Sequence, residues 1–388
     1  MRRREFLSGL SGLPLASCVR THTEGRSESI QPCAQLENLL PELMSQADVP
    51  GASIACVREG RTVWSRTFGL RDSSSKTAVD PSTLFEAASV SKTVFAYAAL
   101  KLCETGVIGL DIPLSHYTQR PFVEDDPRLE KITARRVLSH CAGLAEWRSN
   151  DAPLIQYEPG TRFEYSGEGY YYLQSVITEI TGKVDPTQCA TYEADFKVCA
   201  TDFDDFMKRN LLRPFGMRLS TYLAGSDWDH RIARGHDGAG RPIVKPRPRG
   251  SDVARYGAVG GLNTTASDYA KFLIEIVSPQ ESSAFRLSRP ILAEMVHPNI
   301  TLPKDGQIDG CTAWGLGWGI QERKEGNLLV HSGGQSGFRS LALASVERRS
   351  GLIILTNSDN GGKVIFHPRF LNLASQIVLG EQRPHIGS

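Results

Sequence analysis

Two groups of β-rich runs, one near each end of the chain, enclose a long middle that is mainly helical and loop-rich. Near the start, Gly51-Ala-Ser-Ile-Ala-Cys-Val57 and Thr62-Val-Trp-Ser-Arg-Thr-Phe68 flank Glu59-Gly60 and predict an antiparallel hairpin. Near the end, Trp314 to Gln321, Asn327 to His331, Arg339 to Glu347 and Gly351 to Asn357 read as further strands, with turns at Lys324-Glu-Gly326 and Arg349-Ser-Gly351. The two ends are expected to pair into one sheet, with a lobe from about Ser89 to Leu273 set against it. Residues 35 to 48 carry Leu36, Leu39, Leu40, Leu43 and Met44 near helical spacing, and Val364 to Leu379 reads as a closing helix. The predicted class is therefore α+β, an α/β sandwich: an antiparallel sheet flanked by N- and C-terminal helices, plus a mainly helical lobe. A cleft between sheet and lobe is where a small-molecule site belongs.

A formal net charge of +1 over 388 residues leaves no field that favours nucleic acid, membrane surfaces or polyanions. Apolar stretches fall short of the roughly 20 residues a spanning helix needs. The first eighteen residues read as a separate export signal: Arg2, Arg3 and Arg4, then Phe6 and Leu7, then a short apolar run to Ser17. Arg-Arg-x-Phe-Leu is similar to a twin-arginine signal, and Leu15-Ala-Ser-Cys18 resembles a bacterial lipobox, which makes Cys18 a lipidation candidate. Residues 19–34 are polar and predict a flexible tether. An exported protein, periplasmic or held to a membrane only through that lipid, is the expectation.

The chain has eight cysteines and no Cys-x-x-Cys, so zinc-ribbon and thioredoxin-like chemistry have no support. Cys56 and Cys103 sit in apolar surroundings and read as small core residues. Cys189 and Cys199 flank a polar stretch, an inserted loop over about 184–201, and are the most plausible disulfide pair. No histidine has metal-ligand spacing, and no cofactor is called for.

Ser-x-x-Lys occurs twice. Ser73–Lys76 lies in Asp72-Ser-Ser-Ser-Lys-Thr, a solvated turn with no apolar continuation. Ser89–Lys92 opens Thr93-Val-Phe-Ala-Tyr-Ala-Ala-Leu-Lys-Leu-Cys, apolar nearly all round, as a buried helix requires, with Gly106 as its stop. Residues three apart share a helix face, so Ser89 and Lys92 can hydrogen-bond. A lysine in a buried helix is costly unless paired or deprotonated, and activation of Ser89 would account for it. By itself the segment also fits an N-cap at Ser89 with Lys92 exposed on the first turn.

Phe85-Glu-Ala-Ala-Ser-Val-Ser-Lys-Thr93 resembles the nucleophile motif of the serine β-lactamase and penicillin-binding-protein superfamily, in particular class C β-lactamases and their esterase relatives. Further segments follow in the family's order: Val137-Leu-Ser-His-Cys-Ala-Gly-Leu144, Pro159-Gly-Thr-Arg-Phe-Glu-Tyr-Ser166, Tyr256-Gly-Ala-Val-Gly-Gly-Leu262, Gly315-Leu-Gly-Trp-Gly319 and His331-Ser-Gly-Gly334. The resemblance implies the β-lactamase/transpeptidase-like fold, Ser89 as nucleophile, Lys92 and Tyr165 acting jointly as the base, and an oxyanion hole from the Ser89 and Gly334 backbone N–H groups. His331, Ser332 and Gly333, with Gly167 and Arg339, are the expected substrate contacts. Cys141, where the family more often has Thr, and His140 beside it read as structural.

Two departures bear on substrate. Tyr165-Ser-Gly167 replaces the family's Tyr-x-Asn, and His331-Ser-Gly333 replaces Lys-Thr-Gly. The missing amide and the missing permanent cation both count against efficient β-lactam turnover, and Arg339 could supply a substitute cation. The expected activity is a serine hydrolase with carboxylesterase-like chemistry on a small ester. D-amino-acid amides or peptides come next, then β-lactams. A cell-envelope binding protein that keeps the site but turns over little is the alternative of another kind.

Overall fold

In the computed structural model, which describes residues 24–119, 121–148, 152–182, 196–244, 256–324 and 326–380, the two ends of the chain meet in the interior of one sheet. Strand β1 (Gly51–Arg58) pairs antiparallel with β2 (Arg61–Asp72) on one side and with β11 (Ser350–Thr356) on the other. Beyond β2 lies β3 (Thr77–Ala78). On the other side follow β10 (Phe338–Ser345), β9 (Leu328–Gln335), β8 (Gly319–Gln321), β7 (Ala313–Trp314) and β6 (Ile300–Thr301). The order of the nine strands is β3-β2-β1-β11-β10-β9-β8-β7-β6.

Because successive residues of a strand point to opposite faces, the sheet sorts its apolar residues into two cores. Ile54 and Cys56 of β1, Leu352 and Ile354 of β11, and Leu341 and Leu343 of β10 face the terminal helices. There they meet helix α1 (Glu24–Gln46) and the closing helix Pro368–Leu379. Ala55 and Val57, Ile353 and Leu355, and Ala342 and Ala344 face the lobe. Within the lobe, α2 (Ser91–Glu104) is buried on every side over its first ten residues. A fully buried helix is what its apolar sequence predicts. Around it lie α3 (Ala134–Leu138), α4 (Gly167–Thr181) and α5 (Phe196–Met207).

Several boundaries differ from expectation. Helix α1 begins at Glu24, inside the segment 19–34 read as a tether. Its Glu, Ser, Arg and Gln residues lack an apolar periodicity but carry little intrinsic penalty in a helix. The single closing helix becomes two, Gly361–Ile365 and Pro368–Leu379, since Pro368 has no N–H to continue the first and fits the opening turn of the second. The stretch Trp314 to Gln321 is a tight β7–β8 hairpin instead of one strand; Gly317 adopts φ +97° and its N–H is taken by the Leu138 carbonyl.

The lobe ends near Thr265, short of Leu273, because the helix Ala266–Val277 docks its Leu273 face on Gly351 of β11. Of the predicted inserted loop, Phe196 onward is helix α5, and 183–195 lies outside the described residues. Cys18 and Cys189, the expected lipidation site and one half of the expected disulfide, also lie outside them, as does the side chain of Cys199. Among the described residues, no helix is long and apolar enough to cross a membrane.

Candidate active site

Ser89 sits where the sheet, the lobe and α2 converge. Strand β4 (Phe85–Glu86) pairs with β5 (Asn263–Thr264), and Ala87 donates to the Leu262 carbonyl at 2.8 Å. Ser340 of β10 donates to the Ala87 carbonyl at 2.7 Å, which ties this turn to the sheet. Ala88 then takes φ +50°, a left-handed conformation unusual outside glycine, and a single 3₁₀ turn, Ala88–Val90, leads into α2. The Ser91 hydroxyl, donating to Ala88 O at 2.6 Å and accepting from Leu262 N–H at 3.1 Å, locks the turn. Ser89 caps nothing; its hydroxyl is half-exposed to the cleft.

Lys92, one turn on, is 1% exposed. Its Nζ donates to Ser89 Oγ at 3.3 Å and to the Val259 carbonyl at 2.7 Å. The rings of Tyr165 and Tyr170 lie 4.9 and 5.6 Å from Nζ. Burial brings the Lys92 ammonium down to about 7, and the distant Glu146 carboxylate only partly offsets this. Tyr165 is held by its own elements. Ser166 is the N-cap of α4, accepting from Gly169 N–H at 3.0 Å and donating to Ala145 O at 2.7 Å. The Ser166 N–H donates to His140 Nδ1 at 3.0 Å, and the imidazole stacks on Tyr165 with centroids 4.2 Å apart. Burial pushes the Tyr165 phenol well above its usual value, opposed in part by a hydrogen bond with Ser89. Ser89, Lys92 and Tyr165 therefore touch at one point.

Gly333 and Gly334 lie within strand β9, not in a turn. Ser332 N–H donates to the Asp309 carboxylate at 3.2 Å, on the edge of β9 remote from β10. N–H groups alternate sides along a strand, so Gly334 N–H points to that same edge. Strand β8 pairs only as far as Val330, which leaves this N–H unpaired by the sheet and beside Ser89. A Cβ on Gly333 would come within 2.9 Å of Ser89 N and 2.3 Å of Ser340 Oγ. Only glycine permits this approach.

The remaining expected contacts stand differently. His331 is buried behind the cleft, its Nδ1 bonded to Ser332 O at 2.7 Å, and burial beside Lys92 brings its imidazole down to about 3. It is neutral and supplies no cation. Arg339 does not line the cleft: its side chain lies beside Gly334, donates to the Gln335 and Phe338 carbonyls at 2.7 Å and pairs with Asp359 at 3.1 Å. Gly167 is buried beneath the Glu146 carbonyl, where a side chain would collide at 2.6 Å, so it packs the α4 N-terminus and does not meet a ligand. Cys141 and His140 are buried and structural, the Cys141 thiol pushed up by burial and bonded to Ser139.

A cleft of about 460 Å³ opens over Ser89 and Gly334. Its walls come from Tyr256 and Val259 of the Tyr256–Leu262 segment and from Trp147, Tyr222 and Gln335, which lie outside the motifs. Trp147 is 52% exposed and packs edge-on to Tyr256 at 5.5 Å. In the sequence, Trp147 follows the Val137–Leu144 segment by three residues, a nearness to a motif that Tyr222 lacks. The Gln335 amide donates to the Glu86 carboxylate, closing one end of the cleft. No Lys or Arg lines it among the described residues.

This arrangement coincides with a family model described as Beta-lactamase, which matches residues 36–376. The chain belongs to the beta-lactamase family. Within the beta-lactamase family it is similar to Protein flp of Staphylococcus aureus strain MRSA252, 20% identical over 375 residues that cover 88% of this chain and 68% of that one. Putative beta-lactamase-like 1 of Homo sapiens is 23% identical over 295 residues, covering 69% of this chain and 54% of the other. Among solved structures, an octameric penicillin-binding protein homologue from Pyrococcus abyssi superposes with a TM-score of 0.70 at 24% identity, over 89% of this chain and 76% of that one. The D-alanine carboxypeptidase AmpC from Burkholderia cenocepacia gives 0.69 at 17% identity, over 92% and 99%. These structures share the fold: an antiparallel sheet with flanking helices and a lobe. As a beta-lactamase-family protein, the chain is a serine hydrolase.

Proposed function

We propose that the protein hydrolyses small, neutral esters through an acyl-enzyme on Ser89. The observation that carries this reading is the 3.3 Å contact between Ser89 Oγ and a buried Lys92 whose ammonium is brought down to about 7. Near neutral pH a substantial share of Lys92 is unprotonated and can take the Ser89 proton as Oγ attacks the carbonyl carbon. The Tyr165 phenol stays protonated there, so it serves as a hydrogen-bond donor to the site and as the route by which the proton reaches the leaving oxygen. The Ser89 and Gly334 N–H groups receive the oxyanion, each donor contributing about 3 kcal/mol in comparable sites. Water then attacks the acyl-enzyme with Lys92 again as base, releasing the acid and freeing Ser89.

The apolar walls and the lack of a lining cation among the described residues support esters over substrates with a terminal carboxylate. A D-amino-acid amidase or carboxypeptidase is the second reading, favoured by the likeness to the D-alanine carboxypeptidase fold. Export, with a lipid on Cys18, belongs to the same proposal and rests on the leader sequence. The test is incubation with a fluorophosphonate and a chromogenic short-chain ester. Labelling and turnover should both vanish in Ser89→Ala; intact-mass spectra showing no adduct on the parent protein would overturn the reading.

A further inference from the structure

Cys33 and Cys56 both have no exposed surface and belong to the same buried cluster, between the terminal helices and the sheet. Cys33 shares a face of α1 with Leu36, Leu40 and Leu43, and Cys56 shares a face of β1 with Ala52 and Ile54. Both faces border that one cluster, and each thiol lies close enough to the other to shift its ionisation. Of the described cysteines, these two meet each other; Cys141 contacts Ser139, and Cys311 lies against Gly319.

We propose that in an oxidising environment Cys33 and Cys56 form a disulfide that staples the N-terminal helix to the sheet. The contact with Cys56 holds the Cys33 thiol below its usual value, whereas burial raises Cys56. Before α1 docks, neither that contact nor that burial exists, and either thiol, Cys33 for instance, can attack first as its thiolate. The Cys33 sulfur then attacks a disulfide oxidant such as oxidised glutathione, forming a mixed disulfide and expelling one thiolate. Cys56 loses its proton and attacks the Cys33 sulfur, closing the bond and expelling the second thiolate. Two protein thiols are oxidised and one oxidant disulfide is reduced to two thiols. Both sulfurs are closed to solvent once α1 is docked, so the exchange precedes docking. The bond would anchor the helix that directly follows the leader, where any pull from an N-terminal attachment would act.

The experiment refolds the full chain with oxidised and reduced glutathione, then alkylates in denaturant and maps peptides by mass spectrometry. A Cys33–Cys56 cross-linked peptide, 2 Da lighter than the sum of its reduced parts, is expected. Alkylation of both cysteines in the oxidised sample overturns the proposal. Reduction should lower Tm by on the order of 5 °C, as loss of a disulfide closing a loop of this size does in a large domain. The Cys33→Ala variant should lose that redox-dependent shift. A shift that persists in this variant assigns it to other cysteines and overturns the proposal.

Discussion

Lys92 Nζ lies 3.3 Å from Ser89 Oγ, and its second acceptor, at 2.7 Å, is the backbone carbonyl of Val259 and not a carboxylate. The ammonium is thus buried with hydrogen bonds but without an adjacent counter-charge. That combination brings its proton affinity to about 7.

Activity should follow this ionisation. With a neutral ester, kcat/KM should rise with pH and level off above about 7, as Lys92 releases its proton. Lys92→Arg, which stays charged, should lose about 10²–10⁴-fold at every pH and show no such limb. A pH–rate profile from 5 to 9 on both proteins decides it; a flat parent profile would remove Lys92 as the base.

The same group should cost stability, with a definite sign. Between about 7 and the ordinary lysine value the unfolded chain binds a proton that the folded chain has released, so stability from this site rises with pH. Below about 7 both states hold it, and the desolvation cost is fully present. Lys92→Met should therefore be more stable than the parent at pH 6, with the gain shrinking towards pH 10. Urea unfolding at both pH values measures it; an unchanged or widening gain would contradict the burial argument.

Gly333 should tolerate no side chain. A Cβ there meets Ser340 Oγ at 2.3 Å, the Ala87 carbonyl at 2.8 Å and Ser89 N at 2.9 Å. Gly333→Ala must push β9 away from the Ser89 turn, with a cost of about 1–3 kcal/mol in stability. It should also lower kcat more than it raises KM, because the two oxyanion donors separate. Gly362→Ala, where a side chain enters open space, is the control and should leave both unchanged.

Arg148 should matter through Glu168. The Glu168 side chain is 2% exposed and pairs with Arg148 at 2.6 Å, which holds the segment carrying Trp147 onto α4. Arg148→Ala leaves a buried carboxylate without its cation and should destabilise by about 3–5 kcal/mol. The double variant with Glu168→Gln should recover part of that loss. Equilibrium unfolding of the single and double variants tests it, and additive losses would deny the coupling.

Much of the fold was legible in advance, for a local reason. The β1 hairpin, β10 and β11 alternate or run apolar over their full lengths, and α2 is apolar on every side, so period and burial coincide in the sequence itself. Where they do not coincide, reading failed. The polar start of α1 shows no period, and the β7–β8 turn depends on Gly317 meeting Leu138 from the lobe. The site divides the same way. Ser89 and Lys92 are joined by one helical turn, a relation fixed by spacing. His331 opens the motif His331–Gly334 and Arg339 follows it, which predicts cleft residues, yet the packing around Lys92 buries the one and Asp359 pairs with the other.

The amino-acid sequence alone determined the family, the sheet-and-lobe class and the Ser89–Lys92 pair, because each is signalled by short segments whose own residues lie close together in the chain. Tertiary structure alone decided that Lys92 is buried without a counter-charge, that Tyr165 is backed by His140, and that Trp147, Tyr256 and Gln335 wall the cleft. It also set Cys33 against Cys56. Each of these depends on segments far apart in sequence whose distance and solvent access are set only when the two cores close.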